Sequence, residues 1–276
     1  SVQEGKSEYG YHFSVETDAS NVTAALVNGS ADIAALPTNA AAALYNKTSG
    51  AVQLLVLNTK GVLYLLSDGT DEIRTVEDLK GKTVYVPAQN PTFLTAHVLA
   101  SNGLKVGEDV NLDNSYAQPA ELNAAVAAGT VSLAVLPEPM VTVAMMQNAD
   151  LKIVMDLTEE WDKTAPEGSL VQGCVVVRTE FAEANPEIIA SFLKEYEQSV
   201  ISLLEDPDTA AANIEAAGIL AKAAIAKKAI PNCNICFISG NEMQAAMSAF
   251  LKIMYEVAPQ SIGGAIPGED FYYTVK

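Results

Sequence analysis

The chain has 276 residues, enough for one large domain or two of ordinary size, and its 49% hydrophobic content allows sizeable cores. Its 34 acidic residues against 16 Lys and Arg leave a formal charge of −18, which argues against nucleic acid or an anionic membrane as the main partner, because both select a basic face. No run of about 18 apolar residues occurs, so no membrane-spanning helix is expected.

In chain order, Tyr11, Phe13 and Val15 alternate with polar neighbours and read as a strand. Residues 19–28 read as a helix with Ser20 as its cap, 32–36 as a strand, and 38–45 as a helix. Two strands follow at 52–58 and 62–67. Thr75 to Gly81 is a short capped helix, 82–87 a strand, and 90–100 a helix with Asn90 as cap and Pro91 at its first position. A strand at 110–116, a helix at 119–128, a strand at 131–136, a helix ending near Gln147 and a strand at 151–157 complete the middle of the chain. Residues 170–178 read as a strand returning to the first lobe. Residues 186–204 form an amphipathic helix with Ile188, Ile189, Phe192, Leu193, Tyr196, Val200 and Leu203 on one side. Shorter helices at 208–217 and 220–230 precede a long one at 241–257 and a turn-rich aromatic tail.

One stretch organises this series. VTAALVNGSADIAALPTN, from Val22, recurs as LNAAVAAGTVSLAVLPEP, from Leu122, at a constant offset of 100 residues. Each copy is a helix stopped at a glycine, then a short apolar run ended by a proline, which cannot donate to a ladder. A helix–glycine–strand unit is common, but the constant spacing and the shared Pro37 and Pro137 point to two α/β lobes of like topology. Continuous apolar strands suit a mostly parallel sheet flanked by helices, and ligands bind beyond the carboxyl ends of such strands. Shifted by the same offset, the first strand and helix of the second lobe fall before Ser1, so the first lobe is expected to lack its opening unit, and the chain start reads as a trimmed or mature product.

The residues just past these strand ends are the candidate site. Pro37, Thr38 and Asn39 follow the first repeat strand. Their hydroxyl, amide and free helix N–H groups suit a carboxylate, sulfonate or carbonyl, or serve only to cap the helix. Asn90, Pro91 and Thr92 occupy the equivalent place in the second lobe. Glu138 lies between two prolines where its repeat mate is Thr38; a carboxylate there favours a cationic or amine-bearing ligand, or pairs with an arginine, or is a solvated loop residue. Trp161, Phe271 and Tyr272 read as core or lid packing. Cys233 and Cys236 form a CxxC with no second pair or nearby His, so buried thiols or one local disulfide are expected rather than zinc, and His12 and His97 have no pattern of a metal or catalytic site. No phosphate-loop, dinucleotide or hydrolase motif occurs, so no cofactor is expected.

Taken together, GxxDIAALPTN, VLYLL, TVEDLKGKTVYVP, the NPT helix start, LPEP and RTEFAEANPEIIASFL resemble the solute-binding proteins of ABC importers, of the nitrate/sulfonate/taurine type that includes binders of the thiamine pyrimidine precursor. The resemblance covers nearly the whole chain from about Asn21. It implies a two-lobed periplasmic-binding-protein fold of type II, lobe I from residues 1–67 and 171–276, lobe II from 68–170, with the ligand held in a cleft between lobes that close about a hinge. The crossings would lie near 65–71 and 170–177, which adds Tyr64 and Gln172 to the candidate contacts. It further implies a monomeric extracytoplasmic protein, periplasmic or lipid-anchored, that delivers a small molecule to a membrane permease without chemistry; Thr38, Asn39 and Thr92 with Glu138 point to a polar or zwitterionic organic one. The rival is an enzyme on the same fold, of thiamine-precursor or menaquinone-pathway type, working through Glu138.

Overall fold

The computed structural model describes residues 7–16 and 18–274. In chain order it contains α1 (Ala19–Asn28), β1 (Ile33–Pro37), α2 (Thr38–Thr48), β2 (Val52–Lys60), β3 (Leu63–Ser67), a 3-10 turn over Val76–Leu79, β4 (Thr83–Tyr85), α3 (Asn90–Ser101), β5 (Asn111–Asp113), α4 (Pro119–Ala127), β6 (Leu133–Pro137), α5 (Met140–Gln147), β7 (Lys152–Asp156) and α6 (Leu157–Asp162). Then come β8 (Val171–Arg178), α7 (Thr179–Ala184), α8 (Pro186–Glu205), α9 (Pro207–Ala216), α10 (Ala223–Ala229), β9 (Ile235–Ile238) and α11 (Gly240–Val257). The two repeat strands end on Pro37 and Pro137, as their sequences require. The glycine after α1 is left-handed, with φ 77°, and donates its N–H to the Leu26 carbonyl. The N-terminal cap of α1 is Asp18 rather than Ser20: its carboxylate accepts from the Ser20 N–H at 2.8 Å. Residues 11–16 form no strand. Their alternation describes which side chains could share a face, not whether a sheet edge is available to pair with.

The chain divides into two compact units. The first comprises the residues up to Lys60 with Val171–Ala223 and the part from Ile235; the second comprises Gly61–Leu170 with Ala224–Asn234. In the second unit the strand order is β5-β4-β6-β3-β7. The ladders of β4 with β5 and β6 are parallel, while β3 runs antiparallel to β6 and β7. So β3, expected from sequence in the first lobe, is a central strand of the second sheet, and the chain changes unit at Gly61. This position demands a glycine, because a Cβ there would lie 2.2 Å from Thr158 Oγ1 and 2.7 Å from Leu170 Cδ2. Leu66, Leu122, Val126, Leu136 and Val141 form the core of this unit, on the face that α4 and α5 cover.

In the first unit the order is β1-β8-β2-β9, and every ladder is antiparallel. The second sheet is thus mixed, with two parallel and two antiparallel pairings, and the expectation of a mostly parallel sheet fails outright in the first unit. The reason is topological. β1 and β2 do run the same way, but the returning strand β8 inserts between them and converts one parallel contact into two antiparallel ones. Its place at the edge also leaves β1 only partly buried, unlike its repeat mate β6. The core gathers Leu55, Val56, Val175, Val177 and Ile189, with Phe192, Leu193 and Tyr196 from the apolar side of α8 packed against it. The tail is fixed to this unit: Tyr273 donates its N–H to the Leu54 carbonyl, and Phe271 and Tyr272 are buried.

Candidate functional site

The second unit assembles a polar cluster where β6 ends, beside the start of β3 and the end of β7. Pro137 of β6 pairs with Leu63, and Tyr64 pairs with Asp156. Glu138 follows Pro137, joined to Pro139 by a cis peptide bond, and is only 7% exposed. It is thus not a solvated loop residue. Its Oε2 accepts from the Thr142 N–H at 3.1 Å and its Oε1 from the Thr142 hydroxyl at 2.9 Å, so Thr142, on the first turn of α5, holds both oxygens. Oε1 also accepts from Asn232 Nδ2 at 3.4 Å. Burial pushes the Glu138 carboxyl above its ordinary range, and these donors pull it part of the way back.

Asn232 comes from far along the sequence. The segment Ala224–Asn234 belongs to the second unit although the chain on both sides of it belongs to the first. Three contacts fasten it: Asn232 on Glu138, the Tyr64 hydroxyl donating to the Asn232 carbonyl at 2.8 Å, and Asn234 Nδ2 donating to the Gly61 carbonyl at 2.5 Å. Asn234 adopts φ 45°, in the left-handed region that asparagine tolerates better than most side chains. Burial raises the Tyr64 phenol, and the fields of Asp156, Glu138 and Cys233 raise it further. Burial, then the field of Glu138, pushes the Cys233 thiol up to about 12, so it stays protonated at neutral pH. Cys174, Cys233 and Cys236 are all free thiols.

The other expected residues of this unit stand at the start of α3. Asn90 is the first helical residue rather than the cap, which is Gln89 at φ 65°. The Asn90 side-chain oxygen is buried and has no hydrogen-bond donor. Thr92 is committed internally, donating to the Pro87 carbonyl and accepting from Asn114 Nδ2, each at 2.8 Å. Pro91, beside it, is half-buried. His97 packs against the buried Trp161, the rings tilted by 50° with centroids 4.6 Å apart, which makes Trp161 the core residue that was expected.

In the first unit, Pro37 is exposed and Thr38 is fully buried. The Thr38 hydroxyl donates to the Val171 carbonyl at 2.7 Å, tying α2 to β8. Asn39 repeats the feature of Asn90: its side-chain oxygen is buried without a donor. Buried polar atoms are rarely left unsatisfied, which sets these two oxygens apart from the internally bonded hydroxyls of Thr38 and Thr92. Gln172 lies in β8, half-buried, one residue before Gly173, where a Cβ would come 2.5 Å from Asn58 Oδ1. Sequence reasoning placed Glu138 and Asn90 in one lobe and Thr38, Asn39, Tyr64 and Gln172 in the other; the structure moves Tyr64 into the unit of Glu138 and Asn90. Sequence reasoning missed Thr142, whose spacing of four from Glu138 was a readable signal, and Asn232, for which no local signal exists.

A family model described as menaquinone biosynthesis matches residues 10–256. The chain belongs to the menaquinone-biosynthesis family. Among curated proteins none matches in sequence. Solved structures place this family member on the fold that its sequence resembles. An ABC transporter protein from Parabacteroides distasonis is 25% identical, with a TM-score of 0.81 over 96% of this chain and 89% of that one. The periplasmic aliphatic sulphonate binding protein SsuA from Escherichia coli is 17% identical, with a TM-score of 0.74 over 93% and 80% of the two chains. The alkanesulfonate-binding protein SsuA from Xanthomonas axonopodis pv. citri, bound to MOPS, is 18% identical, with a TM-score of 0.63 over 86% and 79%. The fold is therefore that of the periplasmic binding proteins, as expected of the nitrate/sulfonate/taurine type. No helix among the described residues is long and apolar enough to cross a membrane.

Proposed function

We propose that the protein is the extracytoplasmic solute-binding component of an ABC importer, which captures a small polar or zwitterionic organic molecule and hands it to a membrane permease. The observation that carries this reading is the state of Glu138. Its oxygens are held by fixed donors on Thr142 and Asn232, and the neighbouring thiol, Cys233, is protonated at neutral pH. That arrangement presents a rigid acceptor to a ligand rather than an activated nucleophile with its base. The likeness to the Parabacteroides distasonis transporter protein supports it. In the second unit, Asn90 and Glu138 are the side chains proposed to meet the ligand, with Thr92 and Thr142 fixing the elements that carry them.

The family match over residues 10–256 favours a second reading, an enzyme on the same fold that uses Glu138 as a general acid or base. Native mass spectrometry of the purified protein, followed by denaturation, separates the two. A single small molecule released one to one and unchanged after long incubation is expected. A molecule that turns over into a second species on the protein, and ceases to do so in Glu138→Gln, would replace the transport reading with the enzymatic one.

A further inference from the structure

The cluster around Glu138 has acid without a counter-charge. Glu138 and Asp156 both lie close enough to Tyr64 to act on its phenol, and neither forms an ion pair among the described residues. Among the described residues no cation contributes to the environment of the Glu138 carboxyl, only neutral donors. A carboxylate that is nine-tenths buried is costly unless it is paired with a charge or fully hydrogen-bonded. Here the weakest of its partners is the Asn232 amide, at 3.4 Å. That amide is positioned by its own backbone, because the Tyr64 hydroxyl holds the Asn232 carbonyl. A charged N–H donor in its place would form a bond about twice as strong as the neutral amide does.

We propose that Glu138, Tyr64 and Asn232 form a receptor for a protonated nitrogen group, an ammonium or amidinium, and that the Asn232 amide holds the place which such a group takes. This rests on the solute-binding reading and specifies the ligand class within it: a molecule with a basic nitrogen directed at Glu138. It also gives the segment Ala224–Asn234 a role, since that segment supplies the one donor in the cluster carried on a separate stretch of chain.

The test uses matched pairs that differ only in amine against hydroxyl, taurine with isethionate and benzylamine with benzyl alcohol. Binding is followed by calorimetry and thermal shift on the wild type, Glu138→Gln and Asn232→Asp. In the wild type, at least one amine is expected to bind about tenfold or more tightly than its alcohol, a difference of about 1.4 kcal/mol. Glu138→Gln should abolish that preference while melting as a single transition, and Asn232→Asp, which adds a second carboxylate at the same spot, should enlarge it. Equal binding of amine and alcohol, or a co-purified ligand with no basic nitrogen, overturns this inference and leaves the solute-binding reading standing. A co-purified ligand with a basic nitrogen that Glu138→Gln no longer retains supports it. No binding of any of the four probes, together with no co-purified molecule, overturns both.

Discussion

Replacing Thr142 by valine removes the hydroxyl from Glu138 with little change of shape. The bond lost is 2.9 Å long and buried, with both residues 7% exposed. Above the raised folded value the acceptor is a carboxylate, and a hydrogen bond to a charged group contributes about 1.5–3 kcal/mol. Well below the ordinary glutamate value of 4.5 the carboxyl is neutral, and the same bond contributes about 0.5–1.5 kcal/mol. The sign follows from linkage. The folded protein holds the Glu138 proton to higher pH than the unfolded chain does, so this group's contribution to stability falls as pH rises from about 4.5 through the raised folded value. Removing a donor to the charged form raises the folded value again and steepens that fall. Urea denaturation read by Trp161, the only tryptophan and fully buried, measures both ends. The variant should lose more stability at pH 7 than at pH 4, and Thr142→Ser should restore most of it. An equal loss at the two pH values would refute a buried carboxylate bonded to this hydroxyl.

Two further outcomes are expected. Gly61→Ala should destabilise by about 1–3 kcal/mol through overpacking, and Thr158→Ala in the same chain should recover part of that, because the new methyl meets Thr158 Oγ1 first; additive losses in a denaturant double-mutant cycle would contradict the contact. Cys233, with its thiol pushed up to about 12, should react with a disulfide reagent at pH 8 at least about tenfold more slowly than a free thiol of ordinary acidity, and denaturant should remove the difference; rapid reaction in the folded protein would show the thiol to be ionised.

Much of the second unit was legible because it is built locally. The succession β4–α3–β5–α4–β6 has a clear period in each segment, and the prolines fix both repeat strands. The first unit was less so. Its helix starts and strands were readable, but the insertion of β8 between β1 and β2 is a fact of pairing, to which a strand's own residues are indifferent. The cluster divided the same way. Glu138 stood out because a carboxylate between prolines after a buried strand is unusual. Asn232 could not be found, since it lies 94 residues from Glu138 and its neighbours read as a cysteine pair, a stronger but misleading pattern. The alternating residues 11–15 failed for the opposite reason: a good local pattern that no strand pairs with among the described residues.

The insertion of β8 also sets an order of assembly. Asp32 and Arg178, which flank the ladder of β1 with β8, are 146 residues apart, whereas every strand of the second sheet lies between Leu63 and Asp156. During synthesis the later unit can close its sheet while β1 still waits for a partner. Loop closure over that span is slow compared with local pairing. The nascent protein therefore carries an unpaired β1 and β2 until residue 178 has emerged, and that interval, rather than any weakness of the finished fold, is when a chaperone would matter most.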